Sequence, residues 1–167
     1  SLTSPSFIMS ITIPAFDPLS IPIAGTNLIE ASAGTGKTYG IAALFTRLVV
    51  LEQMPVESIL TVTFTKAATA ELKTRLRARL DEVLQALESV EDTDNLSDDL
   101  EAYCQDNHPG DVFLTGLLKQ ALAQESRTRL IVRLKAAIGQ FDNAAIYTIH
   151  GFCQRILRDY AFLCRAP

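Results

Sequence analysis

Apolar and polar positions alternate along this chain in two rhythms, and each predicts a different kind of element. Residues 27–31, Ser58–Phe64 (S-I-L-T-V-T-F) and Ala144–Thr148 (A-A-I-Y-T) are short apolar or β-branched runs, the signature of strands buried on both faces. Ile41, Leu44, Phe45, Leu48 and Leu51 instead recur at helical spacing. They predict an amphipathic helix from Thr38 to about Glu52, stopped at Met54-Pro55 because the residue before proline avoids the helical region. Leu72, Leu76, Leu80, Val83, Leu84 and Leu87 mark the buried stripe of a long helix from Thr65 to about Val90, which would span about 39 Å. Val112–Phe141 reads as two helices meeting near Ser126, and Gly151 to about Leu163 as a last one.

Pro5, Pro14, Pro18 and Pro22 keep residues 1–26 irregular. Residues 91–111, broken by Asn107-His108-Pro109-Gly110, are expected to form a solvated loop with a short helix and no chemistry. The chain thus divides into a lead-in (1–26), a first strand–helix–strand–helix core (27–90), a helical insert (91–143) and a returning strand and helix (144–167). Strands alternating with helices in this order imply an α/β fold, a parallel sheet with flanking helices. Ligands of such sheets sit at the carboxyl ends of the strands. Residues 31–38, 63–66 and 148–152 all begin there.

The first of these segments carries the most specific chemistry. L-I-E-A-S-A-G-T-G-K-T leads from an apolar strand into a helix, and Ala31–Thr38 fits a phosphate-binding P-loop with Ala31 in place of the first glycine. Gly34 and Gly36 permit the close backbone approach that a β-carbon would block. The amides of Ala31, Ser32, Ala33, Gly34, Thr35 and Gly36 would form an anion-binding nest at a helix N-terminus. Lys37 would reach the β- and γ-phosphates of ATP, and the Thr38 hydroxyl would ligate Mg²⁺.

Bulk properties change this picture only locally. The length of 167 residues suits one domain, and 48% hydrophobic with 20% charged residues suits an ordinary globular chain. The net charge of −4 hides an asymmetry: Lys66, Lys73, Arg75, Arg77 and Arg79 face one acid, Glu71, whereas Glu88–Asp111 holds nine acids and no lysine or arginine. A basic face of that kind can bind phosphates whatever the total charge. Cys104, Cys153 and Cys164 have no metal-binding spacing and read as reduced thiols. No run approaches the ~20 apolar residues of a membrane span, and no signal peptide opens the chain, so the cytoplasm is the expected location.

The second segment, V-T-F-T-K-A-A-T-A-E-L, ends a strand at Thr63, Phe64 and Thr65. It suits either a phosphate and a stacked base or an ordinary core phenylalanine beside a threonine cap. The third, Y-T-I-H-G-F-C-Q-R-I-L, places Thr148, His150 and Phe152 just after a strand. His150 read alone is more often a satisfied packing histidine than a catalyst.

Taken together, A-S-A-G-T-G-K-T, V-T-F-T-K-A-A-T-A-E-L and T-I-H-G-F-C-Q-R-I-L resemble, in order and spacing, the first three motifs of superfamily 1 helicases of the UvrD type. With the lead-in F-D-P-L-S-I-P-I-A-G, they are most similar to the helicase–nuclease subunits of bacterial exonuclease V, over about residues 16–163. The resemblance implies a RecA-like P-loop NTPase fold that uses ATP and Mg²⁺. It implies 3′-to-5′ unwinding and exonuclease activity on single-stranded DNA and duplex ends, in break repair and recombination, beside RecC-like and RecD-like subunits. It places Thr63, Phe64, Thr65, Thr148, His150 and Phe152 against DNA, and Tyr39 against adenine.

Two departures stand out. No glutamine precedes Gln53 to read adenine, and no strand ends in a metal-binding acid; Asp81-Glu82 lies inside the long helix as solvated charge. A second motor domain and a nuclease domain do not fit in this length, so the expectation is an N-terminal piece holding half a nucleotide site. A P-loop kinase or small NTPase acting on a metabolite, with residues 91–141 as a substrate lid, and a binding module with a structural or regulatory P-loop are the rival readings.

Overall fold

The computed structural model describes residues 6–7 and 35–165, with side chains for 39–161. Three parallel strands form the sheet in the order β1 (Ser6–Phe7), β2 (Ile59–Thr63), β3 (Ala145–Thr148). β2 is central and buried almost throughout, which its unbroken I-L-T-V-T run suits. Ser6 and Phe7 pair with Ile59 and Leu60; on the other side Leu60, Thr61, Val62 and Thr63 pair with Ala145, Ile146, Tyr147 and Thr148. The two-residue β1 falls in the stretch expected to be irregular. The strand expected at 27–31 lies outside the described residues.

The helices are α1 (Thr35–Val50), α2 (Lys66–Glu88), α3 (Leu96–Asn107), α4 (Val112–Gln124), α5 (Arg127–Gly139) and α6 (Ile149–Arg165). Capping side chains set several of their starts. Thr65, Asp111 and Ser126 accept the N–H groups of Ala68, Leu114 and Arg129, each answering a donor that a helix start leaves unsatisfied. The break expected near Ser126 is therefore an N-cap. α1 begins three residues before the expected Thr38, and α6 two before Gly151. Residues 91–111 hold a twelve-residue helix rather than mostly loop.

α1 departs furthest from its expected single stripe. Ile41–Thr46 and Leu48–Leu51 are all buried, because α2, α4 and α5 each pack against it. Leu76 and Leu80 of α2, Leu114 and Leu117 of α4, and Leu130 and Leu134 of α5 are fully buried in one continuous core. Each such side chain contributes about 1.5–3 kcal/mol relative to exposure. α5 also closes helix ends. The Arg133 guanidinium donates to the carbonyls of Val49 (2.5 Å) and Val50 (2.6 Å), and Arg127 Nε to that of Leu87 (2.8 Å). These are terminal carbonyls with no partner inside their own helices. The insert thus contributes to the core, with Leu114, Leu117, Leu130 and Leu134 fully buried. No helix among the described residues is long and apolar enough to cross a membrane.

Candidate nucleotide and nucleic-acid site

Ala31, Ser32, Ala33 and Gly34 lie outside the described residues. Thr35, Gly36, Lys37 and Thr38 form the first turn of α1. The first four N–H groups of a helix have no intrahelical acceptor, and the axial dipole is positive there. Four such amides at a positive helix end are a donor set that suits an anion such as phosphate.

Tyr39 follows at once and is 44% exposed. One side of its ring faces the Arg79 guanidinium of α2, whose Cζ is 5.5 Å from the ring centroid. The same guanidinium lies 5.4 Å from the Phe113 ring centroid. Both are cation–π distances. Arg79 is only 9% exposed. It donates to both carboxylate oxygens of Asp111 (2.5 and 3.3 Å) and to Glu82 (2.9 Å). Asp111 Oδ1 also accepts the Leu114 N–H at 3.0 Å, capping α4. Burial alone would push the Asp111 carboxyl up; the Arg79 and Leu114 hydrogen bonds and the guanidinium charge outweigh it and hold Asp111 below the usual carboxylate range. Burial works against the Arg79 charge too, but the two carboxylates keep it protonated.

This cluster corrects two expectations. Arg79 is buried and neutralised, so it is not part of the exposed basic face. Glu82 is an ion-pair partner rather than solvated charge. Ligand-type atoms of Glu82, His108 and Asp111 lie within 4.8 Å of one another. Both carboxylates are already hydrogen-bonded to Arg79, which engages oxygens that a metal ion would need. Sequence spacing signals only the Asp111 cap and the Arg79–Glu82 pair; the Arg79–Asp111 contact spans 32 positions and needs the fold.

At the other end of α2, the structure brings the second and third segments together. Thr63 and Thr148 are register partners at the carboxyl ends of adjacent parallel strands. Phe64, the next residue, is 53% exposed, and His150 is exposed as well. Thr63 is buried, its hydroxyl engaged with Thr69 Oγ1 and donating to the Thr65 carbonyl at 3.2 Å. The Thr65 hydroxyl caps α2. Thr148 Oγ1 accepts the Gly151 N–H at 3.0 Å; a β-carbon on Gly151 would sit 3.1 Å from that oxygen, so glycine suits the close turn. Phe152 is half-buried and stacks on Tyr147, their centroids 6.4 Å apart, while Arg155 covers Tyr147 and hydrogen-bonds its hydroxyl. Lys66, Lys73, Arg75 and Arg77 lie exposed along the adjoining half of α2. Thirteen positions separate Lys66 from Arg79, so the Tyr39 end of α1 meets α2 about 20 Å along it from this edge.

Comparison with known proteins agrees with these motifs. The UvrD/REP helicase N-terminal domain matches residues 17–165. The RecBCD enzyme subunit RecB of Haemophilus influenzae is 42% identical over 161 residues, covering 92% of this chain and 12% of that protein. RecB of Escherichia coli strain K12 is 41% identical over 162 residues, with the same two shares. RecB of Mycolicibacterium smegmatis is 38% identical over 142 residues, covering 85% of this chain and 11% of that protein. The chain therefore spans about an eighth of the length of these curated relatives.

Proposed function

This chain belongs to the UvrD/REP helicase N-terminal domain family, and on that footing we propose that it is the ATP-binding part of a DNA helicase–nuclease subunit similar to RecB. The whole protein in this reading unwinds DNA 3′ to 5′ and degrades it, in double-strand break repair and recombination. It works in the cytoplasm beside RecC-like and RecD-like subunits. The observation that carries the reading is the in-register pairing of Thr63 with Thr148, which sets Phe64 and His150 out from neighbouring strand ends.

Each residue has a distinct task in this reading. The backbone of Ala31–Thr38 cradles the phosphates, Lys37 neutralises the β- and γ-phosphate charge, and Thr38 holds Mg²⁺. When bound, Mg-ATP supplies the phosphoanhydride bond whose cleavage powers movement. Tyr39 offers its ring to the base. Phe64 stacks on unpaired bases and His150 contacts the same strand. Thr63, Thr65, Thr148 and Phe152 complete the edge that meets this strand, and the hydroxyl bonds described above hold the two strand ends in shape. Phe152, stacked on Tyr147, braces the start of α6. The family match favours this reading over a metabolite kinase.

Calorimetric titration of the full-length protein with Mg-ATP tests the nucleotide half of the reading. Lys37→Ala should weaken binding tenfold or more, since it removes the cation nearest the terminal phosphates. Equal binding by wild type and variant would take the loop out of the mechanism.

A further inference from the structure

We propose that Arg79 is a positioning residue of the nucleotide site: anchored by Asp111 and Glu82, it props one face of Tyr39 so that the opposite face meets the base. The inference rests on the nucleotide reading above and adds a residue to it from the middle of α2, outside all three motif segments.

Three observations support it. First, Tyr39 directly follows the first turn of α1, which carries Thr35–Thr38 of the phosphate-loop motif. Second, that ring is 44% exposed while its inner side lies against the Arg79 guanidinium. A half-exposed aromatic side chain whose ring is held on one side by a planar cation is preorganised for stacking, because less rotamer freedom remains to be lost on binding. Third, Arg79 itself cannot drift. Asp111 holds it through both carboxylate oxygens, Glu82 through one, and the Phe113 ring covers it. Asp111 is in turn fixed as the cap of α4, and Phe113 belongs to α4. The helical insert therefore sets the orientation of the aromatic that borders the phosphate loop.

Arginine is suited to this task where lysine is not. Its planar guanidinium can face a ring and make forked hydrogen bonds together, whereas an ammonium is a point charge. Arg79→Lys should keep an ion pair with Asp111 and lose the prop.

The test uses the full-length protein with two probes, Mg-ATP and Mg-tripolyphosphate, the second lacking base and sugar. Arg79→Lys and Tyr39→Leu should each weaken ATP by roughly three- to tenfold, and the double variant no more than the worse single one. Tripolyphosphate affinity should move less than about twofold, because the phosphate cradle is untouched. Asp111→Asn, which loosens the guanidinium without removing it, should show the same split at smaller size. This second variant decides the matter if Arg79→Lys fails to fold. Equal weakening of both probes, or of neither, by the Arg79 and Asp111 variants overturns the inference and leaves the nucleotide reading standing. A wild type that binds neither probe overturns both.

Discussion

The two halves of α2 carry the same residue types in opposite environments. In its first half, Arg75 and Arg77 lie in solvent with Lys66 and Lys73, next to the exposed Phe64. In its second half, Arg79 is enclosed by Tyr39, Phe113, Glu82 and Asp111, and Leu80, Val83 and Leu87 are fully buried. Among the described residues Arg75 pairs with Glu71 one turn away, both exposed, an interaction worth about a few tenths of a kcal/mol. Arg79 pairs across to the start of α4, largely out of water. A helix that begins as an open cationic surface thus becomes a structural beam within a few turns. Position along the helix does not decide this. The partners on its later turns do: Tyr39 of α1, Phe113 of α4 with its cap Asp111, and Arg127 of α5 on the Leu87 carbonyl.

The contrast can be broken most strongly from the buried side. Asp111→Ala leaves Arg79 with a single carboxylate and α4 without its cap, and should cost about 3 kcal/mol in urea unfolding. The same pair makes stability depend on acid. Because the folded Asp111 titrates below its unfolded value, the stabilisation is complete above about pH 4 and is lost as pH falls through the lower folded pKa. The gap between wild type and Asp111→Ala should therefore narrow in that acid range. A gap independent of pH would show that the carboxylate charge is not what holds Arg79.

Next in size is the open side. Phe64→Ala in the full-length protein should weaken single-stranded DNA about fivefold or more, from a stacking loss of ~1–3 kcal/mol, with little change in folding stability. Unchanged DNA affinity would make Phe64 an ordinary surface ring. The smallest effect belongs to Lys73→Gln, a single phosphate-type contact. It should lower the salt dependence of DNA binding by about one unit of logarithmic slope, equally for all sequences. An unaltered slope would remove the first half of α2 from the DNA path and end the functional side of the comparison.

Much of this was legible before any coordinates. The β-branched runs at 58–64 and 144–148 became β2 and β3, and the leucine stripe from Leu72 to Leu87 became the inner face of α2. Local sequence suffices there because strand alternation, helix period and caps such as Thr65 and Ser126 act over a few residues. The two strand-end segments were also recognisable, since their motifs are contiguous. Their adjacency follows from the parallel register of Thr63 with Thr148, which the crossover topology made expected but only the fold displays.

Other features had no local signal. Nothing in R-A-R-L distinguishes Arg77 from Arg79, yet one is solvated and the other buried. Asp111, within a run that reads as solvated acid, turns out to anchor that arginine. α1 carries an amphipathic-looking pattern and is buried all round because three helices enclose it. By itself, then, the amino-acid order determined most of the elements and the family. Tertiary structure alone decided which charges are spent on holding the insert against α1, since the free energy of an ion pair depends on partners and dielectric that only the packed chain supplies.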